Sequence, residues 1–237
     1  MNQPLVFIHG SGDSSRVWRL QLEHFGPQRA LAIDLPGHGQ RPDTLPAEVQ
    51  VQDYAHIVYE LLTHDLQFEQ PIIAGHSLGG AIALSMALEY SSRLTGLILI
   101  GTGARLRVHP SLLEAAHTSP QEAKVRVSEL AVAQTNATAT LSSLAQEPIT
   151  ADPTMLYRDL AACNIFDVMP RLHEIQLPTL IICGTEDRLT PVKYSEYMHQ
   201  HIAHSTLCLI PDAGHYVIRE QPELVNQAIE AWLHTLG

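Results

Sequence analysis

The chain has 237 residues, 45% hydrophobic and 16% charged, which is enough to bury one large core and is the composition of an ordinary globular protein. Its net charge of −11 leaves no basic footprint, which argues against nucleic acid and anionic membrane surfaces as partners. Three cysteines, Cys163, Cys183 and Cys208, cannot close a disulfide framework and none stand at C-x-x-C spacing, so free thiols in a reducing compartment are expected.

Residues 5–8, Leu-Val-Phe-Ile, read as a buried strand stopped by the glycine-rich loop His9-Gly10-Ser11-Gly12. Nothing before it joins a basic segment to a long apolar core, so no signal peptide is expected. Ser14-Ser15 precedes a helical pattern carrying Val17, Trp18, Leu22 and Phe25, and residues 30–33 form a second strand ending in Asp34-Leu35-Pro36-Gly37-His38-Gly39. Residues 52–66 place Tyr54, Ile57, Val58, Leu61 and Leu62 at helical spacing. A third strand opens at Pro71 and delivers Gly75-His76-Ser77-Leu78-Gly79. Residues 81–90 beyond it are apolar nearly all round, as in a helix buried against a sheet. Residues 94–100, 178–183 and 206–210 supply strands four to six, and residues 192–201 and 221–236 the helices after the last two. Apolar strands alternating with helices predict a parallel sheet covered on both faces.

Residues 103–177 break this pattern, with no convincing strand and helical stretches at 110–116, 120–133, 137–146 and 153–162. A crossover needs one helix, so most of this segment is expected to be a helical cap inserted into a core of residues 1–102 and 178–237. No apolar run approaches the ~20 residues that span a bilayer, and a soluble, cytoplasmic protein is expected.

The chemistry centres on Ser77. Gly75 and Gly79 flank it at a sharp strand-to-helix turn, where larger side chains would collide and the hydroxyl must stand clear of the sheet. A serine hydroxyl becomes a nucleophile when a positioned base takes its proton, and histidine is the usual base. In an open parallel sheet reactive groups gather beyond the carboxyl ends of the strands. Of 14 histidines, that leaves His9, His38 and His215. His9 is expected to brace the glycine loop, His38 to be structural, and His215, on a turn after the last strand, to be the base. Strand five ends in Gly184-Thr185-Glu186-Asp187, which puts two acids at the same edge. Asp187 is expected to orient the histidine, with Glu186 in reserve. Donors for a developing oxyanion would be the backbone N–H of Leu78, at the start of the buried helix, and that of Ser11 in the glycine loop. That loop fits neither G-x-G-x-x-G nor a P-loop, and no cofactor or metal is expected.

These motifs, from His9-Gly10-Ser11-Gly12 through Gly75-His76-Ser77-Leu78-Gly79-Gly80 to Gly214-His215, span nearly the whole chain, which resembles the α/β-hydrolases. The resemblance implies an α/β-hydrolase fold with six mostly parallel strands in the spatial order 2-1-3-4-5-6. It implies Ser77 as nucleophile, His215 as base, Asp187 as orienting acid, the amides of Ser11 and Leu78 as oxyanion hole, and the insertion as a lid. Family members usually carry two more strands before the His-Gly loop, which here begins at residue 9. The edge strand so exposed leaves monomer and homodimer both open.

A serine at position 77 departs from the haloalkane dehalogenases and epoxide hydrolases of this fold, which use an aspartate. The expected activity is hydrolysis of small-molecule carboxylic esters with short- to medium-chain acyl groups through an acyl-enzyme. Leu112, Met155, Leu156, Phe166 and Met169 of the insertion are the expected pocket walls. One alternative is a carbon–carbon bond hydrolase of dienoic diketones, which the His9-Gly10-Ser11-Gly12 loop also resembles. It would bring Arg105, Arg107, Arg126, Arg158 or Arg188 to the substrate carboxylate. Another is a ligand-binding, receptor-like hydrolase with weak turnover.

Overall fold

The computed structural model describes residues 3–146, 152 and 154–236; Pro153, the expected start of the fourth insertion helix, lies outside them. Six short strands form one parallel sheet in the order β2-β1-β3-β4-β5-β6: β1 (Leu5–Ile8), β2 (Ala30–Ile33), β3 (Ile72–His76), β4 (Gly96–Ile100), β5 (Thr179–Gly184) and β6 (Ser205–Ile210). Successive side chains leave opposite faces of a strand, so strands buried on both sides are apolar throughout. In β1, Leu5 and Phe7 join one hydrophobic cluster while Val6 and Ile8 join the other.

The first cluster is covered by α1 (Arg19–Phe25) and the C-terminal helices, and its centre is Phe7 stacked on Trp18 at 4.7 Å between ring centroids. The second is covered by α2 (Val51–Glu60) and α3 (Leu78–Glu89). Asp53 fixes the start of α2 by accepting the Gln50 N–H at 2.7 Å. Residues from Leu78 to Ala87 of α3 are buried on every side, as its lack of a polar face requires.

Between β4 and β5 the chain forms α4 (Pro110–Thr118), α5 (Pro120–Ala131), α6 (Ala137–Gln146) and α7 (Met155–Ile165). Proline opens α4 and α5, where its missing N–H costs no hydrogen bond. The two ends of this insertion are joined by an antiparallel bridge between Arg105 and Asp167, reinforced by a 2.6 Å ion pair. After β5 come α8 (Val192–His201), α9 (Val217–Glu220) and α10 (Pro222–Leu233).

The main departures from the sequence reading are at element ends. The helix expected over 52–66 is α-helical only to Glu60 and then turns through a π-helical Leu61–Asp65, and the single turn α9 was not foreseen. Among the described residues no helix is long and apolar enough to cross a membrane. Register aligns Ile8 with Gly75 and His76 with Ile100, so the loops after β1, β3, β5 and β6 open at the same edge of the sheet.

Candidate active site

Ser77 sits between β3 and α3 with φ +54° and ψ −115°, a backbone region that costs a non-glycine residue ~1–3 kcal/mol. Its neighbours impose this conformation. The Ser77 N–H donates to Ile100 C=O at 3.0 Å and Thr102 Oγ1 donates to Ser77 C=O at 2.8 Å. A Cβ at Gly75 would run into the Gly79 carbonyl, and one at Gly79 into the Ile8 carbonyl, so the turn closes only on glycine.

His215 and Asp187 arrive from the loops after β6 and β5. His215 Nδ1–H donates to Asp187 Oδ2 at 2.9 Å, which leaves the Nε2 lone pair available as a base. Asp187 also accepts the N–H groups of Leu189 and Thr190 at 2.9 and 2.8 Å and the Thr190 hydroxyl at 2.8 Å. Burial works to raise its carboxyl, but the His215 charge and these donors prevail and hold it below the ordinary range. Glu186 instead commits its backbone N–H to Ala213 C=O and makes no bond to the histidine. Ser77 and His215 line one cavity of about 380 Å³ without a hydrogen bond between them, a contact that in ligand-free sites often tightens only with substrate.

The glycine loop borders the same space: Gly10 and Ser11 line the cavity, and a Cβ at Gly10 would stand 3.1 Å from Ser77 Cβ. Neither the Ser11 N–H nor the Leu78 N–H donates to another described residue, so both remain available to an oxyanion. His76 turns away from Ser77, and its Nε2–H donates to His215 C=O at 2.9 Å. Burial, aided by neighbouring His215, lowers the His76 pKa to about 3, so it is a neutral brace. His9 likewise braces the loop after β2, accepting the Leu35 N–H at 3.1 Å.

The Alpha/beta hydrolase family model matches residues 5–228. The chain belongs to this family. A solved thermophilic esterase is 34% identical, with a TM-score of 0.82 over 99% of this chain and 91% of that one. The 3-oxoadipate enol-lactonase 2 of Acinetobacter baylyi is 29% identical over 96% of this chain and 87% of its own length. The 2-hydroxy-6-oxo-6-phenylhexa-2,4-dienoate hydrolase of Comamonas testosteroni is 27% identical over 95% and 85%. This chain is therefore an esterase-like α/β-hydrolase.

The cavity walls of this hydrolase differ from the expected ones. Of the five anticipated pocket residues, Leu112 lines the cavity and four do not. The Met155 sulfur packs over Gly37, and Leu156 is buried against Gly12 one helical turn short of the cavity. Phe166 belongs to the core beneath the insertion, and Met169 packs on that core. The apolar wall is formed instead by Leu106 and Val108 after β4, Val127 and Leu130 of α5, and Leu160 of α7. Spacing of i, i+3 on α5 could have suggested the second pair, but not which way the helix faced.

Sequence reasoning also missed polar members. Asp13 lines the cavity and accepts the Tyr216 hydroxyl at 3.1 Å, with burial pushing its carboxyl up. Arg107, Arg126 and Arg188 stand exposed at the cavity wall. Arg158 lies elsewhere, paired with Asp43 at 2.8 Å, and Arg105 pairs with Asp167. Cys163 touches Ser11 Oγ at 3.8 Å, but burial drives its thiol to about 12, which removes it as a nucleophile. Among the described residues no group of three or more His, Cys, Asp or Glu is arranged to hold a metal ion.

Proposed function

We propose that this hydrolase cleaves small-molecule carboxylic esters with short- to medium-chain acyl groups by acylation of Ser77. The observation that supports it most is the 2.9 Å bond from His215 Nδ1–H to Asp187, made at the cavity that Ser77 also lines. In this reading Asp187 fixes the tautomer, and His215 Nε2 takes the Ser77 proton as Oγ attacks the ester carbonyl. The N–H groups of Ser11 and Leu78 receive the oxyanion, with α3 adding the positive end of its dipole. Collapse expels the alcohol, protonated by His215. Water activated by the same histidine then releases the acid. The insertion acts as a lid that supplies the apolar acyl wall and excludes bulk water.

A specific observation favours a second reading. The cavity carries three exposed arginines in a chain of net charge −11, and Arg126 has no partner among the described residues. Such a rim suits a substrate with a carboxylate remote from the scissile bond, as in the dienoic diketones cleaved by carbon–carbon hydrolases. One experiment separates the readings: turnover of p-nitrophenyl acetate to octanoate, of p-nitrophenyl hydrogen succinate, and of a 2-hydroxy-6-oxodienoate. Ester turnover with a chain-length optimum is expected, and Ser77→Ala should reduce it by on the order of 10⁴- to 10⁶-fold. Preference for the dienoate would establish the second reading, and binding without turnover on any of these would point to a receptor.

A further inference from the structure

The residue after Ser11 is gripped by the insertion and not by the sheet. Gly12 adopts φ +66°, in the left-handed region that favours glycine. Its N–H donates to Asp159 Oδ2 of α7 at 2.9 Å, and its C=O accepts from Lys124 Nζ of α5 at 2.8 Å. Both backbone groups of one loop residue are thus fixed by two helices from a segment more than 100 residues away.

Asp159 is itself held without freedom. It is fully buried, its Oδ1 accepts the Tyr54 hydroxyl of α2 at 2.6 Å, and its Oδ2 accepts His38 Nε2–H at 3.0 Å. His38 Nδ1 faces the Pro36 carbonyl at 3.0 Å, so both ring nitrogens meet acceptors, an arrangement that favours the protonated ring. Arg158 extends the anchor. It binds both oxygens of Asp43 at 2.9 and 2.8 Å, the Pro36 carbonyl at 3.0 Å and the Tyr54 hydroxyl at 3.2 Å. A buried carboxylate is costly unless its lone pairs are met, and here three donors meet them, the Gly12 N–H, the Tyr54 hydroxyl and His38 Nε2–H. The same insertion also holds the other side of the site, where Ala131 C=O accepts the His215 N–H at 2.6 Å.

We propose that Asp159 and Lys124 are positioning residues that, by clamping Gly12, hold the Ser11 N–H toward the oxyanion, so that the docked insertion completes the oxyanion hole. This rests on the esterase reading of Ser77. Neither side chain lines the cavity, so their effect on the reaction runs through the loop. A clamp on the peptide between Ser11 and Gly12 fixes the backbone on one side of Ser11. The turn closed by Asp13 N–H on Gly10 C=O fixes it on the other.

The test uses the full chain and four variants, Asp159→Asn, Lys124→Met, the double variant of these two, and Ser77→Ala. It reads kcat and KM on the best p-nitrophenyl ester, affinity for a boronic acid that forms a tetrahedral adduct at the serine, and Tm. Asp159→Asn should lower kcat by about 10- to 100-fold, below the 10²–10³-fold that follows loss of a whole oxyanion donor. KM should stay within about threefold, and boronate affinity should fall in step with kcat, as expected when only transition-state binding is lost. Lys124→Met should act in the same direction but more weakly, and the double variant should be less than additive, because both grip one residue. Unchanged kcat and boronate affinity in folded Asp159→Asn overturn the proposal. If Asp159→Asn does not fold, unchanged values in Lys124→Met do so. Full turnover by Ser77→Ala overturns the esterase reading and this proposal with it; loss there without change in the other two overturns this proposal alone.

Discussion

Asp187 illustrates how much of the chemistry rests on single hydrogen bonds. Four donors converge on its carboxylate: two backbone N–H groups, the Thr190 hydroxyl and His215 Nδ1–H. Thr190 Oγ1 lies 3.1 Å from His215 Nδ1 as well, so it borders both members of the pair. Asp187→Asn should lower ester turnover by ~10⁴-fold, because an amide can hold the imidazole in the wrong tautomer. Thr190→Val should cost about tenfold in kcat, in line with the ~1.5 kcal/mol lower bound for a hydrogen bond to a charged group. Steady-state kinetics on one ester checks both, and a larger loss from Glu186→Gln than from Asp187→Asn would mean that the wrong acid was chosen. Loop position brings both Asp187 and Glu186 to the right edge without separating them, and Thr190 carries no signal in the sequence. Its role depends on the Asp187 loop curling back so that position i+3 meets the carboxylate, a geometry that residue order alone leaves open.

At the scale of elements, the strand-to-helix turn at Ser77 was fully legible, since the close approaches at Gly75 and Gly79 leave no other residue type. The insertion was legible as helices but not as surfaces. Helix α7 splits its residues among three jobs: Leu156 packs on Gly12, Asp159 enters a buried ion pair and Leu160 lines the cavity. A 3.6-residue period orders these positions around the helix without saying what each one meets. The side chain of Val127 on α5 does face the cavity, which gives a test of its wall. Val127→Phe should shift the acyl optimum toward shorter chains and lower the octanoate-to-acetate ratio of kcat/KM by about tenfold or more. Competition assays with the two p-nitrophenyl esters would show it, and an unchanged ratio would place the acyl chain elsewhere.

For the molecule as a whole, buried histidines set the response to acid. Burial, with help from the neighbouring His38, lowers the His9 pKa to about 4, and burial lowers that of His76 to about 3. With folded values below the unfolded 6.5, the unfolded chain binds the protons first. Their stabilising contribution is therefore present above pH 6.5 and is lost as pH falls toward 4, at ~1.4 kcal/mol per pH unit for each histidine. His38 runs the other way: burial acts to lower its pKa, but the Asp159 charge outweighs that and raises it. Its contribution is complete below pH 6.5 and fades as pH rises through the folded value. Urea midpoints should accordingly fall steeply between pH 6.5 and 4, and a flat profile there would contradict the burial of His9 and His76. The sequence by itself determined the parallel sheet and the residues at its carboxyl edge, because apolar strands, glycine turns and helix periods are local signals, while the strand order came only with the resemblance to the α/β-hydrolases. Only the tertiary structure decided the cavity walls, the arginine rim and the Asp159–His38 anchor. The anchor joins residues 121 positions apart, and all three features depend on how the insertion packs on the core.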